Sequence, residues 1–171
     1  CDFLLDQNFA PNSSNRYKKL VPDNCELFLG MPFFILNEDF MNLRKTIKPR
    51  KKLNNLLIFF GGIDKYNCTG RLLNSLKDKI SIFGNIDVVV GKFNPSKFLI
   101  EKECKKYQNC NYHEQVTNMA DLMSRADLCI GAGGSSNGER IFLGLPSIVF
   151  SVANNQLEVS KYLNELGLIY Y

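Results

Sequence analysis

The stretch that decides the fold runs from Ala126 to Phe150 and reads ADLCIGAGGSSNGERIFLGLPSIVF. Its first part, Asp127–Gly131, predicts a short buried strand, because an apolar run stands between a charged residue and a glycine. The following segment, Gly131–Gly134, is too rich in glycine for a helix or a strand and predicts a turn. Because glycine has no Cβ, a ligand can approach the N–H groups of such a turn closely.

The second half of the stretch predicts a helix and another strand. Ser136 and Glu139 have the S-x-x-E spacing of a capping box, which opens a helix. Gly144–Pro146 ends this helix, and Ser147–Phe150 predicts the next strand. This order brings free N–H donors and the positive end of a helix dipole to one place, where a phosphate group can bind.

A structural explanation of the same stretch stays open, in which the glycines only pack a tight turn between a strand and a helix. The glycines stand at positions 131, 133, 134 and 138, which is not the G-x-G-x-x-G dinucleotide pattern. The Gly-Lys-Ser/Thr sequence of a P-loop is missing as well. The spacing therefore indicates a phosphate-binding turn of no particular class.

Strands and helices alternate through the second part of the chain. Leu56–Phe60 is a continuous apolar run closed by glycine, as expected of a strand buried on both faces, and Ile86–Val90, followed by Gly91, predicts the next strand. We predict a Rossmann-like α/β fold, a parallel sheet with helices on both faces. In such a sheet the loops Gly61–Asp64, Gly131–Ser136 and Ser151–Gln156 leave the carboxyl ends of strands and converge on one crevice.

The pattern divides the chain at residue 52. Residues 1–52 contain short strands, a helix from about Asn37 to Lys45 and a basic linker, and we expect them to connect to a missing N-terminal domain. Residues 53–171 carry the regular alternation and form the Rossmann-like domain. The chain begins with Cys1 rather than methionine, in what resembles the interior of a strand, so we expect a piece of a longer protein.

The composition is that of a soluble globular protein, with 45% hydrophobic and 22% charged residues. No apolar run approaches the roughly 20 residues of a membrane span, and the N-terminus lacks the pattern of a signal peptide. The six cysteines include no C-x-x-C pair, which favours reduced thiols over a metal site or a disulfide framework. We therefore expect a cytoplasmic protein that uses no cofactor.

A cluster of positive charge lies between Arg44 and Lys52 and contains no acidic residue. Binding to nucleic acid or to a membrane surface is one explanation for it. No aromatic residues stand among the charges, which favours a solvated linker around Pro49. We therefore expect no nucleic-acid partner and no membrane span.

The residues beside the crevice suit a nucleotide sugar, although each also has a structural explanation. Gly61 and Gly62 either line a diphosphate or end a strand, and Asp64 can accept a hydrogen bond from a sugar hydroxyl. Glu139 can cap its helix or accept both hydroxyls of a ribose. The amides of Asn154–Gln156 suit hydroxyl and acetamido groups, but asparagine is also a common N-cap.

A catalytic residue is not identifiable in this segment. His113 is the single histidine and stands at the end of a short strand, where a structural role is the more common one. Without it no Ser-His-Asp set can be assembled, and no closely spaced pair of carboxylates for glycosidic hydrolysis is evident. The sequence therefore indicates a binder of a nucleotide sugar rather than a complete catalyst.

Several short motifs resemble, in the same order, those of one family. They are Asp6-Gln7-Asn8, Phe60-Gly-Gly62 with Asp64, Ala126-Asp127, Gly131-Ala-Gly-Gly134, Glu139-Arg140, Gly144-Leu-Pro146 and Ala153-Asn-Asn-Gln156. The family is the UDP-sugar hydrolases of pseudaminic acid biosynthesis, which are relatives of the GT-B glycosyltransferases. The resemblance spans nearly the whole chain and the C-terminal half of a full-length member. Some of the motifs are shared with GT-B transferases such as the lipid-intermediate N-acetylglucosaminyltransferase of peptidoglycan synthesis.

The resemblance implies a C-terminal GT-B domain that holds UDP. On this analogy the backbone near Val116 meets uracil and Glu139 holds the ribose. The glycine turn meets the diphosphate, and the amides before the last helix face the sugar or the phosphate. The expected UDP-sugar-binding residues are Gly61, Gly62, Asp64, Val116, Gly133, Gly134, Ser135, Ser136, Glu139, Asn155 and Gln156.

The reaction implied by the resemblance is attack of water on the anomeric carbon, which releases UDP from a diacetamido-trideoxy sugar. The catalytic histidine of the family lies in the N-terminal half, so His113 does not inherit that role. Family members often have tryptophan before the glutamate, whereas Gly138 stands there in this chain. Two alternatives stay open, the donor-binding half of a GT-B glycosyltransferase and a non-catalytic UDP-sugar-binding module.

Overall fold

The computed structural model describes residues 1–11 and 13–171. In these ranges, no helix has the length and apolar character that crossing a membrane requires. The strands are β1 Phe3–Asp6, β2 Glu26–Leu29, β3 Asn55–Phe59, β4 Asn85–Val90, β5 Cys110–Glu114, β6 Leu128–Ala132 and β7 Ser147–Phe150. The α-helices are α1 Ser13–Arg16, α2 Glu38–Arg44, α3 Cys68–Leu76, α4 Lys97–Cys104, α5 Met119–Arg125, α6 Ser136–Phe142 and α7 Leu157–Glu165.

The main sheet has five parallel strands in the order β5-β4-β3-β6-β7. Leu56, Leu57 and Ile58 of the central strand β3 are almost completely buried, because helices cover both faces of the sheet. Leu57 lies opposite Asp87 on β4 and Cys129 on β6. The Rossmann-like α/β fold predicted from the sequence is confirmed.

The direction in which strands are added to the sheet reverses at β3. Strands β4 and β5 lie on one side of β3, and β6 and β7 continue on the other side. In open parallel sheets a ligand crevice lies outside the carboxyl ends of the strands at such a reversal. Phe59 and Gly131 are paired at this end of β3 and β6, so the glycine turn lies at the reversal point.

Successive side chains of β3 point to opposite faces and reach two different hydrophobic clusters. Leu56 and Ile58 pack with Leu73 of α3 and Ile100 of α4. Leu57 belongs to the cluster on the other face. The members of that cluster contributed by α2, α5 and the end of α6 include Phe40, Ala120, Leu122, Met123 and Leu143.

Apolar side chains of the first 52 residues pack against the main domain. Strands β1 and β2 form a separate two-stranded parallel sheet, and beside it Phe9 and Phe34 pack with Val149 and Leu163 of the main domain. Helix α2 packs against α5 and α6 through Phe40. The division at residue 52 stays a prediction, and these contacts show that parts of the first segment lie against the sheet domain.

The basic linker is tied to the domain by Arg50. Its Nε donates to the carbonyl of Ala126 at 2.6 Å, and its Nη1 donates to those of Leu143 at 3.1 Å and Gly144 at 2.8 Å. Its Nη2 donates to the carbonyl of Met123 at 3.3 Å. These carbonyls lie at the C-terminal ends of α5 and α6, where helices leave acceptors unpaired. Arg50 therefore has a structural role.

Two helices are shorter than the sequence pattern indicates. Leu72, Leu73, Leu76 and Ile80 have the spacing of one helical stripe, which predicts a helix that includes Ile80, whereas α3 ends at Leu76 and Ile80 lies in a separate 3-10 turn. The N–H of Lys79 donates to the carbonyl of Leu76 at 2.7 Å, which closes a tighter turn there. Ile80 still packs in the same cluster as Leu73, which explains why the pattern continues beyond the helix. The sequence also predicts a polar helix from about Pro95 to Tyr107, and α4 covers only Lys97–Cys104 of that range.

Candidate functional site

Three loops at the carboxyl edge of the sheet carry most of the predicted site residues. They follow β3, β6 and β7, which are adjacent in the sheet. The N–H of Gly133 donates to the carbonyl of Phe150 at 3.0 Å, which joins the second loop to the third. The loops therefore lie side by side at the point where the strand order reverses.

The glycine turn after β6 combines close packing with free N–H groups. A Cβ on Gly131 would lie 2.0 Å from the carbonyl oxygen of Phe59, so only glycine fits there. Gly134 has a φ of +122°, which side-chain-bearing residues rarely adopt. No acceptor in the described part of the chain takes a hydrogen bond from the N–H of Gly134, Ser135 or Ser136. Successive free N–H groups of this kind form concave sites that bind anions.

The capping box predicted for Ser136 and Glu139 is wrong. Helix α6 begins at Ser136, and the preceding residue, Ser135, makes no side-chain capping hydrogen bond. Ser135 has φ −56° and ψ −34°, which are helical values. A capping side chain needs an extended backbone to reach the N–H groups of the first turn. The start of α6 is therefore left without a side-chain cap, which agrees with the free N–H groups of the turn.

Arg140 lies fully buried against the glycine turn. Its Nη2 donates to the carbonyl of Ala132 at 2.8 Å and to the side-chain oxygen of Asn137 at 2.5 Å. Its Nη1 donates to the sulfur of Cys129 at 3.5 Å. All three acceptors are neutral, whereas buried charges are usually paired with an opposite charge. The guanidinium therefore supplies positive charge directly behind the turn and favours an anion in front of it.

Glu139 lies half-buried on α6, next to Arg140. Burial raises the pKa of its carboxyl group, and the positive charge of Arg140 and a hydrogen bond from Ser136 lower the pKa in part. The carboxylate is one turn of helix beyond the free N–H groups. Glu139 does not line the 170 Å³ cavity at the glycine turn, and its contact with a ribose stays a prediction.

The loop after β7 brings two predicted amides to the glycine turn. Gln156 accepts a hydrogen bond from the N–H of Val152 at 2.9 Å through its side-chain oxygen. This bond directs the amide nitrogen of Gln156, a donor, towards Gly134, where a Cβ would lie 3.8 Å from it. A cavity of about 170 Å³ is lined by Gly134, Ser135, Asn155 and Gln156. Four of the predicted residues therefore share one cavity.

The N-terminal segment lines part of the same cavity. Gln7, Asn8, Phe9 and Phe34 line it, and the side-chain oxygen of Gln7 accepts a hydrogen bond from the N–H of Ile35 at 2.9 Å. Gln7 and Asn8 belong to a motif that the resemblance singled out, without a role. No sequence pattern identified Phe9 or Phe34 as site residues, because neither lies near the glycine turn along the chain.

The predicted residues after β3 have structural contacts of their own. Both carboxylate oxygens of Asp64 accept hydrogen bonds, from the N–H of Cys68 at 2.8 Å and of Thr69 at 2.9 Å. Asp64 is buried and caps the start of α3 in this way. The carbonyl of Gly62 lies against Gly91, where a Cβ would approach it to 2.0 Å. Neither Gly62 nor Asp64 lines the 170 Å³ cavity, and their contact with a ligand stays a prediction.

Val116 and His113 both lie outside the 170 Å³ cavity at the glycine turn. Val116 is half-buried after β5 and packs beside the cluster that contains Ala120 and Met123. His113 lies in β5, where its Nε2 is 2.7 Å from the carboxylate of Asp87. This pair lines a separate cavity of about 880 Å³ at the edge strand and does not line the cavity at the glycine turn. The structure thus gives His113 no contact with the candidate site.

A family model described as "Protein of unknown function (DUF354)" matches residues 41–171, which is most of the chain. The chain belongs to the DUF354 family. The matched region contains the whole five-stranded sheet and the three loops of the candidate site.

Two curated relatives have names that refer to carbohydrates, one to polysaccharide biosynthesis and one to hydrolysis of a UDP-sugar. The spore coat polysaccharide biosynthesis protein SpsG of Bacillus subtilis is 28% identical over 158 residues, 89% of this chain and 45% of SpsG. The UDP-2,4-diacetamido-2,4,6-trideoxy-beta-L-altropyranose hydrolase of Campylobacter jejuni is 27% identical over 168 residues, 98% of this chain and 58% of the hydrolase. The chain therefore spans about half the length of these relatives.

A solved structure confirms the architecture. The crystal structure of MurG from Acinetobacter baumannii matches with a TM-score of 0.57 at 17% identity, over 98% of this chain and 52% of the MurG chain. At this identity the match shows the fold alone. The chain has the Rossmann-like architecture of the GT-B glycosyltransferases, as the sequence predicted.

Proposed function

We propose that this chain binds a UDP-sugar in the crevice at the carboxyl ends of β3, β6 and β7. The observation that carries the proposal is the 170 Å³ cavity, in which the glycine turn meets the amides of Asn155 and Gln156. The cavity combines N–H donors, which suit phosphate, with amide groups, which suit a sugar. Ligand sites are typically concave and mostly apolar, with a few polar groups that fix the orientation.

The diphosphate belongs at the glycine turn in this proposal. The free N–H groups of Gly134, Ser135 and Ser136 donate to its oxygens, and Gly133 allows the backbone to approach closely. The amide nitrogen of Gln156 is directed to the same place by the hydrogen bond at its oxygen. The buried charge of Arg140 adds a favourable potential without contacting the ligand.

The nucleoside belongs on the other side of α6. Glu139 accepts hydrogen bonds from the two ribose hydroxyls, and the backbone at Val116 meets the uracil. Gly61 and Gly62 let the ligand pass close to the end of β3. This arrangement is supported by the reversal of strand order at β3, which is where nucleotides bind in related sheets.

The reaction that we propose for the longer protein is hydrolysis of a UDP-linked diacetamido-trideoxy hexose in surface polysaccharide or nonulosonic acid biosynthesis. The name of the Campylobacter jejuni relative supports this reaction, and the name of SpsG supports the wider pathway class. Water attacks the anomeric carbon, the bond from that carbon to the UDP oxygen breaks, and UDP leaves with the electron pair. A base must take the proton of the water, and we assign it to the N-terminal part of the longer protein.

A glycosyltransferase is the second candidate, and the fold shared with MurG favours it. The same crevice would then bind the donor, and the hydroxyl group of an acceptor would replace water as the nucleophile. The two candidates agree on the UDP site and differ only in what attacks the sugar.

Release of UDP by a protein of full family length tests the reaction. We expect UDP to appear from a UDP-2,4-diacetamido-2,4,6-trideoxyhexose without any acceptor, measured by a coupled enzymatic assay. The Glu139→Ala variant of the same protein is compared with it and should release UDP more slowly. Release that depends on an added acceptor would identify a transferase, and no release under either condition would contradict both reactions.

A further inference from the structure

The ring of Phe34 lies directly against the backbone of Gly138 on α6. A Cβ on Gly138 would approach ring atoms of Phe34 to 2.4 Å, which is closer than any real contact. No residue larger than glycine fits at position 138 while the ring keeps its place. The surface of α6 at Gly138 thus has room for an aromatic ring from the N-terminal segment to pack on it.

Phe34 is also held on its other sides. Its ring centroid lies 6.1 Å from that of Phe9, and both rings pack with Val149 and Leu163. The N–H of Phe34 donates to the carbonyl of Met31 at 3.1 Å. These contacts fix the ring in one position instead of leaving it on a free surface.

The fixed ring forms one wall of the 170 Å³ cavity. The amides of Asn155 and Gln156 and the residues Gly134 and Ser135 of the glycine turn line the same cavity. A pyranose has an apolar face of C–H groups and polar hydroxyl or amide substituents at its edge. A cavity lined by both an aromatic ring and amide groups is complementary to that combination, because the ring buries the apolar face and the amides pair with the polar substituents.

Phe34 and Glu139 lie at different positions around the axis of α6, so the ring lies away from the proposed nucleoside position. Gly138 and Glu139 are consecutive residues of one helix, so their side-chain directions differ by about 100° around the helix axis. Phe34 packs on Gly138 and lines the 170 Å³ cavity together with Val159 of α7, whereas Glu139, the residue proposed to hold the ribose, does not line it. The ring therefore lies beside the sugar end of the ligand.

We propose that Phe34 is a specificity-determining residue that packs against the hexose of the UDP-sugar and that Gly138 is required to seat it. The inference rests on the proposed binding of a UDP-sugar and assigns to the N-terminal segment a part in that site. It predicts that loss of the ring weakens the binding of the sugar and leaves the binding of UDP almost unchanged.

Calorimetric titration of the 171-residue chain tests the proposal with two probes, UDP and UDP-N-acetylglucosamine, which carries an acetamido hexose. We expect Phe34→Ala to weaken the affinity for the UDP-sugar by about fivefold to tenfold more than the affinity for UDP, because part of the apolar contact is lost. Phe34→Leu keeps an apolar side chain and should recover most of the loss. Phe33→Ala is the matched control, since Phe33 packs on Phe28 and does not line the cavity.

A second pair of variants tests the seat of the ring. Gly138→Ala displaces the ring and should reduce binding of the UDP-sugar in the same selective way. In the Phe34→Ala background the same substitution should have little further effect, because no ring remains to be displaced. Melting temperatures of all variants report any general loss of folding.

The outcomes separate this inference from the proposed function. If the unaltered chain binds UDP and Phe34→Ala weakens both probes equally, or neither, the role of Phe34 in specificity is wrong and the UDP site stands. If the unaltered chain binds neither probe, the proposed function itself is contradicted. Selective weakening of the UDP-sugar, reversed by leucine, supports the inference.

Discussion

Replacing Arg50 by alanine should lower the free energy of unfolding by about 2 to 3 kcal/mol, because the change removes the anchor of the basic linker. The two shortest hydrogen bonds, to the carbonyls of Ala126 at 2.6 Å and Gly144 at 2.8 Å, contribute about 1 kcal/mol each once competition from water is included. The longer bonds and the positive charge at two helix C-termini add about 0.3 to 1 kcal/mol. The contribution of each hydrogen bond is limited because Arg50 is only half-buried and water competes for its guanidinium group.

Urea unfolding followed by circular dichroism measures this change, since the chain has no tryptophan for fluorescence. The loss corresponds to a melting temperature lower by about 4 to 12 °C for a domain of this size. Lys51→Ala is the matched control, because Lys51 is an exposed basic residue next to Arg50, and its effect should stay within about 0.5 kcal/mol.

Arg50→Lys keeps the charge but has a single donor group, so it should recover only part of the loss. Equal stability of Arg50→Ala and Lys51→Ala would refute the structural role of Arg50. In that case no contact within the chain would explain the basic stretch, and binding to nucleic acid or to a membrane surface would again be the explanation to test.

Two further substitutions test the glycine turn and the carboxylate beside it. Gly131→Ala should destabilise the fold by about 1 to 3 kcal/mol, because its Cβ meets the carbonyl of Phe59. Gly62→Ala is the control, since a Cβ at that position meets nothing within 4 Å. Equal urea midpoints of the two variants would contradict the close approach of Gly131 to Phe59. Burial raises the pKa of Glu139, so the protonated carboxyl favours the folded state at low pH and this contribution is lost as the pH rises through the folded-state pKa. Glu139→Gln should therefore be more stable relative to the unaltered chain at pH 7 than at pH 4, and the same difference at both pH values would contradict the raised pKa.

The sequence predicted the fold well where apolar runs and glycines act locally. The buried run at β3 and the segment Gly131–Gly134 identified the central strand and the turn, because burial on both faces and close backbone approach both require particular residue types. The capping box at Ser136 was wrong, since S-x-x-E spacing does not determine whether the serine itself stays outside the helix, and Ser136 is the first residue of α6. Local patterns thus placed the elements better than their ends.

The parts of the site that sequence reasoning missed depend on contacts between distant residues. Phe34 and Gly138 are 104 positions apart in the sequence, and only the fold shows that the ring of Phe34 packs on Gly138. The buried charge of Arg140 was also missed, because a sequence does not show that a basic residue lies without a carboxylate partner. The resemblance identified Asp6-Gln7-Asn8 as a motif, and the structure adds that Gln7 and Asn8 line the cavity.

Calorimetric titration of the 171-residue chain with UDP tests the central claim most directly. We predict saturable binding that Glu139→Ala weakens by about 10- to 140-fold, the equivalent of one charged hydrogen-bonding group worth 1.5–3 kcal/mol. Glu165→Ala, which removes an exposed carboxylate on α7, should leave the affinity unchanged. Absence of binding at millimolar UDP, or equal affinities of the two variants, would contradict the proposal that this crevice holds UDP through Glu139.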